Sequence, residues 1–298
     1  MINRRSLIGV SATLAAARPA MAAVAKGAPD VAVVGAGAFG GWAALSLRER
    51  GLNVVSLDAY GPASPRASSG GETRSIRSGY GAEGFYSAWA MQALALWKRR
   101  EAEFQRPLLY PNDRIELADR WLPGLIAQRK IFEDLKLPFE VLPQADLRKR
   151  YPQMAFDDVE FAFVETSASA AVIKSRDAML VVSEVFQKKG GQCRIARAQP
   201  GPASGRRLET LELGDGGALS AGQFIFACGP WTPKLFPALV GPKVGVYRSE
   251  YFYWGPPPGD ARFSWPNQPA WHDHVLGGYG FGSLERGLKY SPEAGGRV

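Results

Sequence analysis

Cysteine and histidine are scarce: Cys193, Cys228, His272 and His274 are the whole supply in 298 residues. Two cysteines exclude a disulfide framework and a cysteine-rich zinc site. His272 and His274 are two apart, so on a strand they face one side. With no third ligand in sight they are expected to be polar rim residues, with no metal. No Gly-x-Ser-x-Gly nucleophile element is present. Cys228 ends the apolar run Phe224–Ala227 and is expected to be a buried small hydrophobe, because a reactive thiolate needs a base or cation beside it. Long basic stripes are also missing. Lys and Arg outnumber Asp and Glu by 36 to 28, but they sit in short groups such as Lys98-Arg99-Arg100 and Arg148-Lys149-Arg150 without interleaved aromatics. That excludes nucleic acid as a partner. The apolar run from Leu7 to Ala17 is too short to span a bilayer, so no transmembrane segment is expected.

What is present is an ordinary globular composition, 46% hydrophobic and 21% charged, long enough for one large domain or two smaller ones. Residues 1–27 read as an address. Arg4-Arg5 precede the Ala-rich stretch, and Ala20-Met21-Ala22 supplies small residues for a signal peptidase. The arginine pair followed by Ser6-Leu7-Ile8 resembles a twin-arginine signal. A periplasmic or exported protein is expected, or a cytoplasmic one if the segment is no signal.

The mature chain opens on the apolar run Asp30–Val34, then Gly35-Ala36-Gly37-Ala38-Phe39-Gly40. Trp42, Ala43, Ala44, Leu45 and Leu47 recur at helical spacing until Arg50-Gly51, and Asn53–Asp58 is a second strand. A strand, GxGxxG, a helix and an acid at the next strand's end together read as a dinucleotide fold. Gly35 permits the tight turn, Gly37 lets backbone approach a pyrophosphate, and Gly40 lets the helix pack on the strand. The helix N-terminus favours phosphate, and Asp58 can accept from a ribose. The motif alone does not separate NAD from FAD.

The next segment, Arg66–Arg77, replaces an expected helix and third strand with small donors and two arginines. Ser68, Ser69 and Thr73 offer hydroxyls, and Gly70 and Gly71 allow close approach. Arg74 and Arg77 are three apart and on a helical turn share a face. One could then lie against a ring system while the other meets a carboxylate.

VAVVGAGAFG, Asp58 and SSGGETRSIRSGYG resemble the FAD-dependent amine and amino-acid oxidases, in the monomeric sarcosine oxidase branch. The likeness continues through Phe163-Val-Glu165, Gly190-Gly191, Ala227-Cys-Gly-Pro-Trp231 and Tyr279-Gly-Phe281. It implies an α/β fold: a Rossmann-type FAD-binding domain over 29–108 and 159–233, and a mixed-sheet α+β substrate domain over 109–158 and 234–298. It also implies that Gly35, Gly37, Phe39, Gly40 and Asp58 hold the ADP half of FAD. Ser68, Thr73 and Arg74 would lie on the flavin side, Ser69, Gly229 and Trp231 would also bind the cofactor, and Arg77 would pair with a substrate carboxylate. Tyr247–Trp254 alternates as a strand and resembles the one that passes the flavin opposite the substrate. There sarcosine oxidases place a lysine, water-bridged to the flavin and important for reaction with oxygen; Arg248 is the nearest basic residue here. Arg74, Arg77 and Arg248 are therefore the expected catalytic residues.

Two departures stand out. Ser69-Gly70 occupy the place of the family's histidine pair. Arg286 precedes Gly287-Leu-Lys289 where a flavin-linking cysteine stands in sarcosine oxidases, so the FAD is expected to be noncovalent. The resemblance implies oxidation of the C–N bond of a small amine or N-methyl amino acid, with hydride passing to flavin N5 and oxygen giving hydrogen peroxide. Relatives continue well past residue 298, so a fragment, or a partner chain supplying the rest, is expected; a complete chain would be a monomer. The alternatives are a noncatalytic chain holding FAD or ADP and a nicotinamide-linked reductase.

Overall fold

The computed structural model describes residues 27–293, 296 and 297. Apart from Gly27, the expected signal segment lies outside the described residues. Among them, no helix is long and apolar enough to cross a membrane.

In chain order the elements begin with β1 (Val31–Val34), α1 (Ala38–Glu49), β2 (Val54–Asp58), β3 (Arg74–Ile76) and α2 (Gly84–Phe104). Then come β4 (Leu109–Pro111), β5 (Arg114–Ala118), α3 (Pro123–Leu135), β6 (Phe139–Pro143), α4 (Gln144–Arg150), β7 (Phe161–Glu165), β8 (Ala171–Ile173) and α5 (Ser175–Lys188). Short strands follow: β9 (Gln192–Ile195), β10 (Ala198–Pro200), β11 (Ala203–Ser204), β12 (Arg207–Leu208), β13 (Thr210–Leu213), β14 (Ala218–Ser220) and β15 (Gln223–Phe226). The last are α6 (Thr232–Leu235), β16 (Tyr247–Arg248), β17 (Phe252–Trp254), β18 (Ala270–Asp273), β19 (Gly278–Phe281), β20 (Leu288–Pro292) and β21 (Gly296–Arg297). The chain divides into two compact units, one of residues 1–64 and 182–235, the other of 65–181 and 236–298.

The first unit is built on a parallel sheet in the order β15-β1-β2-β9. All four residues of β1 are buried, as a parallel strand covered on both faces requires. Ala32, Val34, Val55 and Leu57 pack on Leu211, Leu213 and Ala221, which belong to the β10-β13-β14 meander and its exit. Each such aliphatic burial contributes roughly 1.5–3 kcal/mol for the larger side chains. Helix α1 buries Gly40, Ala44 and Leu45 and ends at Arg50-Gly51, with Gly51 at φ +87°. Arg48 in its last turn donates to the Lys189 and Leu52 carbonyls.

The second unit carries a seven-stranded mixed sheet, β17-β20-β19-β18-β5-β7-β6. Its neighbours are antiparallel except β18 and β5, which run parallel. Alternation along β5 and β7 gives the sheet two characters. Ile115, Leu117, Ala162 and Val164 pack with Leu147 and Tyr151 from the α4 region. Ala118, Phe161 and Phe163 pack with Leu125 and Phe132 of α3, and the Phe132 and Phe163 rings meet edge to face. This second face turns polar at one end. Arg114 bridges Glu116 and Glu165, all three buried. Burial works against the Glu116 carboxylate, but the Arg114 charge and hydrogen bonds from His272 and His274 hold its pKa well below the usual range.

The sheet order β3-β8-β4 lies wholly in the second unit. Pairing of β3 and β4 with β8 therefore draws residues 65–108 and 159–181 into that unit rather than the first. It also corrects one expectation. Arg74 and Arg77 are not on a helical turn, because 74–76 is an extended strand paired with Ile173–Ala171. In extended backbone, residues three apart point to opposite faces. The strand expected over 247–254 is split into β16 and β17, both exposed. On α2, Leu94 is buried while Trp89 is 63% and Leu96 49% exposed.

Candidate functional site: a glycine loop and a buried cation cluster

Two residue sets, one in each unit, carry the chemistry. In the first unit, Gly35 has φ +103°, a conformation L side chains rarely adopt. A Cβ on it would run into the Ala227 carbonyl, and a Cβ on Gly40 into the Gly35 carbonyl. Strand β1, the loop and β15 therefore close together only because both positions lack side chains. Gly37 caps α1 with extended backbone and no side-chain hydrogen bond, and no acid occupies the first turn. Phe39 is 89% exposed. Asp58 accepts from the Ala36 amide at 2.8 Å and from the Tyr60 amide at 2.8 Å, so its carboxylate is aimed at the glycine loop.

Gly229 and Trp231 form a one-turn 3-10 helix after β15, with Gly229 at φ +50° and Trp231 beside the Tyr60 ring. The half-buried Cys228 thiol lies 3.4 Å from the Val34 carbonyl. Burial, and then the Asp58 charge, push its pKa up to about 11, so it stays protonated at neutral pH.

In the second unit, the 68–79 segment is pinned at both ends. The Arg74 guanidinium donates to its own neighbours' carbonyls, Ser68 and Thr73, and lies over the Tyr251 ring at 5.4 Å. Ser68 is exposed and Ser69 partly buried. Downstream, Glu165 accepts from the Ser78 and Gly79 amides at 2.8 and 3.0 Å and from Arg114 at 2.7 Å. Gly79 has no space for more: a Cβ would sit 2.5 Å from Glu165 Oε1 and 2.6 Å from Gln128. Between these anchors Arg77 lies over the Tyr80 ring at 4.7 Å and, among the described residues, meets no carboxylate.

Arg248, expected as the basic residue near the flavin, is 76% exposed in its side chain and pairs with Glu250 at 3.3 Å. A buried lysine of this unit, Lys289 on β20, is 2% exposed. Its Nζ donates to the Thr73 carbonyl at 3.0 Å and lies 4.3 Å from the Tyr251 ring centre and 5.1 Å from that of Phe281. Burial first, then the neighbouring Arg74 charge, bring its pKa down to about 7. Sequence reasoning missed it. The available signal was weak: a lysine between Leu288 and Tyr290 that shares its strand face with Ser291.

Two buried polar atoms near this cation lack partners, Thr73 Oγ1 and Glu72 Oε1. Burial also raises the pKa of Glu72. An unpaired buried hydroxyl costs about 1–3 kcal/mol. A polar ligand meeting Thr73 would remove that cost, which fits the flavin contact expected there. In the first unit, taken by itself, the glycine loop fits a pyrophosphate, since its two tight glycines hold backbone where a side chain would stand.

Comparison with known proteins agrees. A family model described as FAD dependent oxidoreductase (DAO) matches residues 30–294. Monomeric sarcosine oxidase of Streptomyces avermitilis is 25% identical over 276 residues, covering 90% of this chain and 68% of that protein. N-methyl-L-tryptophan oxidase of Yersinia pestis is 27% identical over 279 residues, covering 90% and 71%. Among solved structures, NikD, an unusual amino acid oxidase essential for nikkomycin biosynthesis, superposes with TM-score 0.70 at 18% identity, over 91% of this chain and 71% of that one. L-proline dehydrogenase from P. horikoshii gives TM-score 0.74 at 14% identity, over 90% and 71%. The likeness extends far beyond the glycine loop, which removes the nicotinamide-linked reading. With its dinucleotide loop, its buried Thr73 hydroxyl and a family match over nearly all of the described chain, this protein belongs to the FAD dependent oxidoreductase family, whose amino-acid-oxidising members are enzymes.

Proposed function

We propose that the chain oxidises the C–N bond of a small amine or N-methyl amino acid and passes the electrons on to oxygen. The observation that carries this reading is Arg77, a guanidinium held over Tyr80 with no carboxylate among the described residues to neutralise it, on a segment fixed by Glu165. A substrate carboxylate is the partner this chemistry suits. Bound FAD supplies the two-electron acceptor. Gly35, Gly37, Gly40 and Asp58 are assigned its ADP half, and Thr73 and Arg74 its flavin side.

The protein's own groups bind and polarise. Tyr251 is a phenol, 37% exposed, under Arg74 and Lys289. Burial, then the hydrogen bond from Tyr279, raises its pKa and keeps it protonated. Lys289, rather than Arg248, then fills the role of the lysine expected in oxygen reactivity. Buried positive charge stabilises negative charge developing on a nearby reactant far better than an exposed arginine does.

Anaerobic titration of the FAD-loaded protein tests the reading. N-methyl amino acids should bleach the flavin. Arg77→Ala should weaken their binding about ten- to a hundredfold, the loss of one charge-assisted contact worth roughly 1.5–3 kcal/mol. Uncharged amines should be unaffected. Failure of every amine to bleach, or equal weakening of charged and uncharged substrates, refutes it.

A further inference from the structure

The geometry points to a divalent transition-metal site of Glu116, His272 and His274, at the polar end of the seven-stranded sheet. Parallel pairing of β5 and β18 sets Glu116 directly beside His272 in the ladder, and His274 follows two residues on, where its amide still donates to Leu117. All three side chains therefore project from one face. This corrects the expectation that the two histidines have no third ligand. Glu116 lies 156 residues away in sequence, and only the sheet register brings it in.

The donor atoms converge. Glu116 Oε2 lies 2.7 Å from His272 Nδ1 and 2.8 Å from His274 Nε2. One ligand atom from each residue lies within 4.8 Å of the others. Zinc with bonds of about 2.0–2.2 Å needs ligand atoms roughly 3.3–3.5 Å apart in a tetrahedron, so each histidine nitrogen has to move only about half an ångström from Glu116 Oε2. Two imidazoles and one carboxylate suit zinc and its first-row neighbours rather than calcium or magnesium. The site is reachable: the Glu116 side chain is 4% exposed, but those of His272 and His274 are 17% and 23% exposed. That opening leaves the fourth position to water.

The surroundings suit a cation. Arg114 binds the far oxygen of Glu116 and so leaves Oε2 free to face the histidines. Glu165 accepts from the same Arg114 nitrogen, Nη1, so the buried trio of Arg114, Glu116 and Glu165 carries one net negative charge. Glu293 hydrogen-bonds the outer nitrogen of His272 and adds a second. With neutral imidazoles, a divalent ion brings the whole cluster to zero. The Glu293 contact is the carboxylate–histidine pairing that fixes a ligating ring's tautomer and orientation. Bound there, the ion ties β18 to β5 and braces the turn from Asp273 to Gly278.

The supply of only two histidines makes the test direct. Tag-free, chelator-treated full chain is titrated with Zn2+ alone. Expected are one zinc per chain retained through gel filtration, a Kd at or below the micromolar range, and a visible tetrahedral spectrum with Co2+. One equivalent of zinc should protect both histidines from diethylpyrocarbonate. His274→Ala should lower affinity at least tenfold. Glu293→Gln, at an exposed position, should lower it about ten- to a hundredfold. Less than a tenth of a zinc per chain, or histidines modified equally fast with and without zinc, overturns the site in the unmutated protein, whether or not the variants fold.

Discussion

Lys289→Met should make the protein more stable at low pH and nearly indifferent at high pH. A lysine whose pKa falls from 10.5 to about 7 carries a penalty on its charged form. At 1.36 kcal/mol per pKa unit that penalty is about 5 kcal/mol at most. The sign follows from proton counts. Between pH 7 and 10.5 the unfolded chain binds a proton that the folded chain does not, so stability rises with pH across that window. Below pH 7 both states are charged, and the folded state bears the whole penalty. By pH 10 less than about 1 kcal/mol remains. Tyr251 and Phe281 return roughly 0.5–2 kcal/mol to the ammonium. The Thr73 carbonyl loses a donor on substitution, at about 1 kcal/mol net. Methionine is close to lysine's stem in length and fills the same space. Urea unfolding from pH 6 to pH 10 should therefore show the variant ahead by about 1–4 kcal/mol at pH 6, with the gap closing toward pH 10. A gap independent of pH, or a variant less stable at pH 6, would refute a buried Lys289 whose charged form is penalised.

Two further substitutions probe the frame around the chemistry. Gly40→Ala places a Cβ against the Gly35 carbonyl and should cost about 1–3 kcal/mol while stripping the flavin, read as flavin absorbance per mole of protein; undiminished flavin content would show that the loop does not hold it. Glu165→Gln sets an amide donor against the donors of Ser78, Gly79 or Arg114 and should cost about 3–5 kcal/mol in urea unfolding; a loss below about 1 kcal/mol would mean that Glu165 does not anchor the 74–79 segment.

The parts legible in the sequence are those whose physics is local. The β1–loop–α1–β2 run declares itself because strand, tight glycines, helix and Asp58 all fall within thirty residues, and Asp58 meets Ala36 only 22 residues away. Residues that depend on distant strands were illegible. Lys289 is buried by contact with Thr73 across 216 residues, and nothing near it in the chain says which way β20 faces. Glu116 meets His272 only through the register of β5 on β18. Arg74 and Arg77 were misplaced for the same reason: spacing of three is shared by a helical turn and a passing strand, and pairing with β8 decides between them.

The parallel junction of β5 and β18 also sets an order of events during synthesis. β5, β6 and β7 leave the ribosome together and can pair at once, but β18 begins about 150 residues after β5 ends. At roughly 5–20 residues per second, the outer edge of β5 waits about 8–30 s for its neighbour. During that interval the nascent chain presents an open row of backbone donors and acceptors beside a charged trio with no cover. The parallel sheet of the first unit, β15-β1-β2-β9, has all its strands out by Phe226 and is not delayed in the same way. Misassociation between nascent chains should thus begin at the β5 edge, and a translational pause between Ala118 and Ala270 would lengthen the exposure.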